Sequence, residues 1–190
     1  MKLIISFSGR ADGNCDRIAS YISSADDTIV YFRELNVRPC SCCEYECFNG
    51  ECKYRGDDIY ALYEKMLHYD QVILIVPMYC GNPSSLYFIF NERSQDYFAH
   101  NDTYEQILKK LYIIGVYGKK ETTPDFILIF EKWFQDSQYE GRVLGIERHL
   151  YGQKMKDCVL DVENIRKDIQ AFLQSRKRSS VIDTYVREIE

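Results

Sequence analysis

The stretch KLIISFSGRADGNCDRIA, residues 2 to 19, constrains the fold more than any other part of the chain. Leu3, Ile4 and Ile5 with Phe7 are too apolar for a strand with one wet face and suit a strand covered on both. The loop from Ser8 to Asn14 is polar and holds Gly9 and Gly13, so its backbone can turn sharply. Asn14 or Ser8 is placed to cap a helix carrying Ile18, Ala19 and Ile22. A strand end that meets a helix N-terminus offers unpaired N–H groups and a positive dipole end, which together suit a phosphate. The pattern is neither the spaced-glycine dinucleotide fingerprint nor the Walker loop, which ends in Gly-Lys-Ser/Thr. A plain strand-to-helix turn therefore stands beside the phosphate site until the other loops are read.

Those loops follow from the rest of the pattern. Thr28 to Glu34 alternates and is β-branched and aromatic, which predicts a second strand nearer an edge. Residues 36–56 form a long irregular segment holding five cysteines. Asp57 caps a helix with Ile59, Leu62, Tyr63, Met66 and Leu67 at helical spacing. Gln71 to Val76 is a continuous apolar run ended by Pro77, the mark of a central parallel strand. A helix is expected over Ser84 to Arg93, no clear period over 94–106, and a fourth buried strand over Leu111 to Tyr117. Pro124 opens a helix with Phe126, Ile127, Phe130 and Phe134 on one face. Arg142 to Ile146 makes a short fifth strand, and Val162, Ile165, Ile169, Phe172 and Leu173 mark a last helix.

Strands buried on both faces and alternating with helices predict an α/β three-layer sandwich around a five-stranded parallel sheet in the order 2-1-3-4-5. In that order ligands bind beyond the carboxyl ends of the first and third strands, where the winding reverses. The loops meeting there are Ser8–Asn14, Met78–Pro83 and Gly118–Thr123. Residues 1–175 read as one domain with 36–56 as an inserted loop. Residues 176–190 keep an apolar stripe and form a tail that docks on the domain or on a partner subunit.

The net charge of −5, with no basic stripe beyond Arg176-Lys177-Arg178, argues against a nucleic-acid partner. No run reaches membrane-spanning length and the chain opens on a strand rather than a signal peptide, so the expected compartment is the cytoplasm. The 8 cysteines then read as thiols or ligands before disulfides. His68, His100 and His149 are scattered, and neither a Ser-His-Asp order nor a His-Glu-x-x-His motif is present, so no catalytic side chain is assigned.

Ser8, Arg10, Gly13 and Asn14, the pair Asp57-Asp58, the stretch Pro77-Met78-Tyr79, and Ser85 with Arg93 together resemble the flavodoxin-like NAD(P)H-dependent FMN reductases, closest to the branch that includes the iron–sulfur flavoproteins. The likeness covers about the first two thirds of the chain. Phe7 stands in place of that family's leading Gly, Cys15 in place of its Thr or Ser, and Glu92 in place of its Asp. The resemblance implies an FMN phosphate on Ser8, Arg10, Asn14 and Cys15. It places the isoalloxazine ring against Pro77, Met78, Tyr79, Cys80, Gly81 and Asn82, with Tyr117, Gly118 and Lys119 on its other edge. Hydride then passes between the nicotinamide of NAD(P)H and the flavin, and electrons go on to free flavin, a quinone or another small acceptor. The family's subunits pair so that each ring is covered by a neighbour, which implies a homodimer or homotetramer.

Cys40, Cys43, Cys47 and Cys52 are spaced C-x2-C-x3-C-x4-C, with Cys42 as an extra neighbour. Compact thiolates of this kind can wrap one metal centre. The resemblance implies a 4Fe-4S cluster, fed by a ferredoxin, although the family's usual spacing is C-x2-C-x2-C. A structural zinc ion and free thiols in a covering loop are the other readings. From a different class stands a cofactor-free binding module whose loop is stapled by zinc.

Overall fold

The computed structural model describes residues 1–41, 43–118, 125–135, 138–139 and 141–174. Five parallel strands build the sheet: β1 (Lys2–Ser6), β2 (Thr28–Tyr31), β3 (Gln71–Tyr79), β5 (Leu111–Tyr117) and β6 (Val143–Glu147). Their order is β2-β1-β3-β5-β6, and the two-residue β4 (Asn82–Pro83) folds back antiparallel on β3. Counting the parallel strands alone, this is the expected 2-1-3-4-5 arrangement.

Alternation along each buried strand divides the core. Leu3, Ile5, Val72, Leu74, Val76 and Ile113 face one helical layer, formed by α3 (Asp58–Leu67), α4 (Ser85–His100), α5 (Tyr104–Leu108) and α6 (Asp125–Glu131). Ile4, Ile73, Ile75 and Ile114 face the other, formed by α1 (Asn14–Ile22) and α7 (Glu163–Gln174). Leu3, Ile4 and Ile5 are fully buried, and each such side chain contributes about 1.5–3 kcal/mol of transfer free energy. The remaining helix, α2 (Glu46–Asn49), is one turn inside the cysteine segment.

Four local expectations are corrected. The helix after Ser84 does not end at Arg93 but runs to His100, absorbing half of the stretch that lacked a period. Its buried positions include Arg93 and Asp96, so polar residues carry the helical repeat and hide it from an apolar count. Pro77 does not end β3, which continues to Tyr79. The last β1 pairing joins Ser6 to Ile75, so the side of β3 that faced β1 is open at Pro77, and a missing N–H costs little there. The second strand stops at Tyr31 and a 3-10 turn takes Phe32–Glu34. Neither Asn14 nor Ser8 caps α1: its N-cap is Gly13 and no side chain caps it. The 176–190 tail and Pro124 lie outside the described residues.

The cysteine segment is laid on α4 by polar contacts. Arg93, 1% exposed, donates from Nη1 to Asp57 Oδ2 (2.6 Å) and to the Arg38 carbonyl (2.8 Å), and from Nη2 to the Tyr54 carbonyl (3.2 Å). One guanidinium thus grips both ends of the segment. Asp57 also caps α3, accepting from the Ile59 N–H as its position in the sequence implied.

Candidate functional site

The carboxyl ends of β1, β3, β5 and β6 open on a cleft of about 230 Å³. One wall is the β1–α1 loop. Ser8 Oγ donates to the Arg10 carbonyl (2.9 Å) and accepts from the Arg10 N–H (3.2 Å), which closes the turn. Beneath it Asp16, buried, accepts from Ser6 Oγ (2.6 Å), from the Asp12 N–H (3.1 Å) and from Arg33, whose Nη1 lies 2.9 Å from Oδ2. Asp12 takes a left-handed φ of 56° to make that bond. The Asn14 amide is engaged within the protein, donating to the Asp157 carbonyl and accepting from the Val159 N–H, both at 3.1 Å. These bonds tie the start of α1 to the segment after β6.

Two of the longer helices begin on side-chain caps, α3 on Asp57 and α4 on Ser84, but α1 does not. Its first N–H groups lack intrahelical acceptors and face the cleft. Cys15 sits among them, 3% exposed, and burial pushes its thiol far up, so it stays protonated and adds no negative charge.

The second wall is the end of β3. Pro77, Met78 and Tyr79 line the cleft, and Tyr79 is 42% exposed. Cys80 and Gly81 both adopt positive φ, 50° and 81°, making the two-residue primed turn that joins β3 to β4. Cys80, Gly81 and Asn82 therefore stand at an exposed hairpin tip beside the cleft and do not line it. Tyr117 lines the cleft floor with Val116. Lys119 lies outside the described residues.

The third wall was missed in the sequence. Arg148 follows β6 directly and its N–H bonds the Tyr117 carbonyl (2.9 Å), extending the β5–β6 ladder. Its guanidinium lies over Gly118, where a Cβ would collide with Nη2. Nη1 is buried without a hydrogen-bond partner. Burial lowers the pKa of Arg148, and the nearby charge of Arg10 lowers it further, against the opposing pull of Asp157. Met155, Lys156 and Asp157 complete this wall. The charged lining comprises Arg10, Arg17, Arg148 and Lys156 against Asp12 and Asp157, an excess of cations in a chain of net charge −5. The signal that could have found Arg148 is its place at a strand's carboxyl end, where such sheets bind ligands.

Ser8, Arg10, Asn14, Cys15, Pro77, Met78, Tyr79 and Tyr117 are thus brought together. The site joins a cationic, amide-rich end to a flat wall of Met78 and Tyr79. An amphipathic ligand with an anionic tail fits these residues.

No protein-family model matches the chain. A stretch of 67 residues is 30% identical to an iron–sulfur flavoprotein of Archaeoglobus fulgidus, covering 35% of this chain and 32% of that protein. The match therefore spans about a third of the relative's length. Among solved structures, the Trp repressor binding protein of Bacillus subtilis matches with a TM-score of 0.60 at 18% identity, over 95% of this chain and all of that one. The chain has the flavodoxin-like fold. RosB, solved with 8-demethyl-8-formylriboflavin-5′-phosphate bound, shares it with a TM-score of 0.54 at 11% identity, over 100% of this chain and 93% of that one. A flavone reductase does so at 0.52 and 17% identity, over 91% of this chain and 60% of that one.

A second cavity, of about 580 Å³, lies between the cysteine segment and α4. Cys40, Cys43, Cys47 and Cys52 all line it, with Glu92, Arg93 and Asp96. All four are free thiols. Burial raises the pKa of Cys40, helped by Glu92, and that of Cys47, helped by Asp96. Among the described residues no three His, Cys, Asp or Glu side chains are grouped as a metal ion requires. Cys42 lies outside the described residues. No helix among those described is long and apolar enough to cross a membrane.

Proposed function

We propose that this protein is an FMN-binding, NAD(P)H-dependent oxidoreductase that passes electrons to a flavin, a quinone or another small acceptor. The observation that carries the reading is the bare N-terminus of α1, facing a cleft whose opposite wall is flat and apolar. The flavin-phosphate derivative in RosB, on the same fold, and the partial likeness to an iron–sulfur flavoprotein support it. When bound, the flavin supplies the acceptance and donation of hydride.

The chain's own residues bind and orient. The N–H groups at the start of α1 and the Arg10 guanidinium receive the phosphate, with charge-assisted bonds shorter and stronger than neutral ones. Met78 and Tyr79 present the surface on which the ring lies. Asp16 and Arg33 hold the loop from beneath, so its shape does not depend on the ligand. No side chain is required as acid or base. Tyr79 and Met155, 42% and 71% exposed at the cleft, leave one side for the nicotinamide and for the matching face of a second subunit in a homodimer. Free cysteines throughout the described residues suit a reducing, cytoplasmic setting.

The test is an anaerobic purification followed by a visible spectrum, FMN titration and NAD(P)H turnover. A yellow protein, or a colourless one that takes up one FMN per chain and oxidises NAD(P)H, is expected. A colourless preparation that refuses FMN would leave the cofactor-free binding module. Iron and zinc analysis of the same preparation asks separately whether the thiols of 36–56 take up metal.

A further inference from the structure

We infer that Arg148 and Arg10 form a two-guanidinium clamp on a terminal phosphate dianion, making the cleft selective for phosphomonoester ligands over their uncharged or diester analogues. The inference rests on the proposed flavin reading for the identity of the ring, but the clamp follows from the chain's own residues.

The polar side chains expected to grip a phosphate are otherwise engaged. Ser8 Oγ gives its proton to the Arg10 carbonyl and accepts from the Arg10 N–H. The Asn14 amide is bound to Asp157 and Val159. Cys15 is a buried, protonated thiol and a weak donor. Backbone N–H groups remain, but they carry no net charge. Neutralising a dianion falls to the cations that line the cleft.

Arg148 has the features of an anion ligand rather than a structural cation. Arg93, the structural case in this chain, binds a carboxylate and two carbonyls. Arg148, half-buried at the cleft, makes no such ion pair: its Nη1 is covered and has no hydrogen-bond partner, whereas in Arg93 only Nε is left unpaired. The acid near it, Asp157, already accepts from the Lys154 N–H (2.7 Å), and Asp157 raises the Arg148 pKa less than Arg10 lowers it. Two arginines line one cleft and one of them keeps a buried donor without a partner, a need that an anion bound between them would meet. Gly118 leaves the guanidinium its room: a Cβ there would collide with Nη2, so any side chain would shift the fork. A phosphomonoester brings close to two negative charges on one phosphorus, which matches two arginines; FAD spreads its two over two diester phosphates, one each, and riboflavin brings none.

The experiment measures Kd for FMN, FAD and riboflavin, and the thermal shift caused by inorganic phosphate, on the full chain and on Arg148→Met, Arg148→Lys and Gly118→Ala. Arg148→Met is expected to weaken FMN 10- to 100-fold (about one to two charge-assisted bonds), to change riboflavin less than about twofold, and to abolish the phosphate shift. Arg148→Lys should fall between, because it keeps the charge and loses the fork. Gly118→Ala keeps every charge and should still weaken FMN selectively; these two variants carry the test if Arg148→Met does not fold. The clamp is overturned if FMN and riboflavin weaken together, if FMN is unaffected, or if the wild type binds neither FMN nor phosphate. A wild type that binds phosphate through Arg148 but no flavin would sink the oxidoreductase reading and leave the clamp standing.

Discussion

The cleft at the strand ends and the cavity under the cysteine segment are opposites in how they treat charge. In the cleft, Arg148 keeps a buried donor unmade and faces a second arginine. In the cavity, both terminal nitrogens of Arg93 are taken by Asp57 and by the carbonyls of Arg38 and Tyr54, and only Nε is left unpaired. The first region is arranged for something that is not protein. The second is closed over by the protein's own ion pair. Four thiols at metal-like spacing made the second region the conspicuous one in the sequence, whereas the first is marked by a single arginine after a short strand.

The largest expected effect breaks the ion-paired region. Arg93→Met leaves Asp57, whose side chain is 6% exposed, with a buried charge and no cation. Removing one partner of such a pair costs about 3–5 kcal/mol. Urea unfolding should show this loss while phosphate binding per folded molecule is unchanged. A loss under about 1 kcal/mol would mean the pair is effectively solvated. Next comes the support under the cleft. Asp16→Ala strips the carboxylate from Ser6, the Asp12 N–H and Arg33 together. A cost of about 1.5–3 kcal/mol is expected from charged hydrogen bonds. Unlike Arg93→Met, it should also weaken phosphate binding, because the loop loses its template; unchanged binding would show that the loop shape is set elsewhere.

How much of this was legible depends on what carried the signal. Strands announced themselves because burial on both faces leaves continuous apolar runs, as at Leu3–Ile5 and Val72–Val76. Asp57 was legible as a cap because its chemistry is local. The second half of α4 was not, because its repeat passes through Arg93 and Asp96, which are buried only by virtue of partners distant in sequence. Asn14 pointed to the right loop, but its amide is used by residues more than 140 positions away, beyond any local rule. Arg148 was invisible for the same reason: its meaning lies in Gly118 and Arg10, which only the closed sheet brings to it.

A smaller effect sharpens the reading of the flat wall. Tyr79 is half exposed beside the cleft and contributes contact rather than charge. Tyr79→Ala should cost about 0.5–1.5 kcal/mol of flavin affinity, roughly two- to tenfold in Kd. The loss should be equal for FMN and riboflavin, in contrast to changes at Arg148. A loss confined to FMN would put Tyr79 at the phosphate end and reverse the proposed direction of the ligand.

The smallest effect is expected where the sequence is most conspicuous. Cys43 and Cys52 are half-buried free thiols that line the second cavity. If the segment is held down by Arg93, by the Cys40 N–H on Glu92 (2.6 Å) and by His100 on the Cys47 carbonyl, the thiols themselves add little. The double variant Cys43→Ser/Cys52→Ser exchanges sulfur for oxygen at two partly wet positions and should cost under about 1 kcal/mol, within the range of substitutions that break no buried network. If the segment were organised around a metal, the same pair would remove two ligands and much of a binding energy that doubles as folding energy. Urea midpoints for wild type and double variant, each prepared anaerobically with and without a chelator, separate the cases. Four nearly coincident midpoints are expected of a cap closed by its ion pair. A wild-type midpoint that drops with chelator to meet the variant would instead make the thiols the closure, and Arg93 only their support.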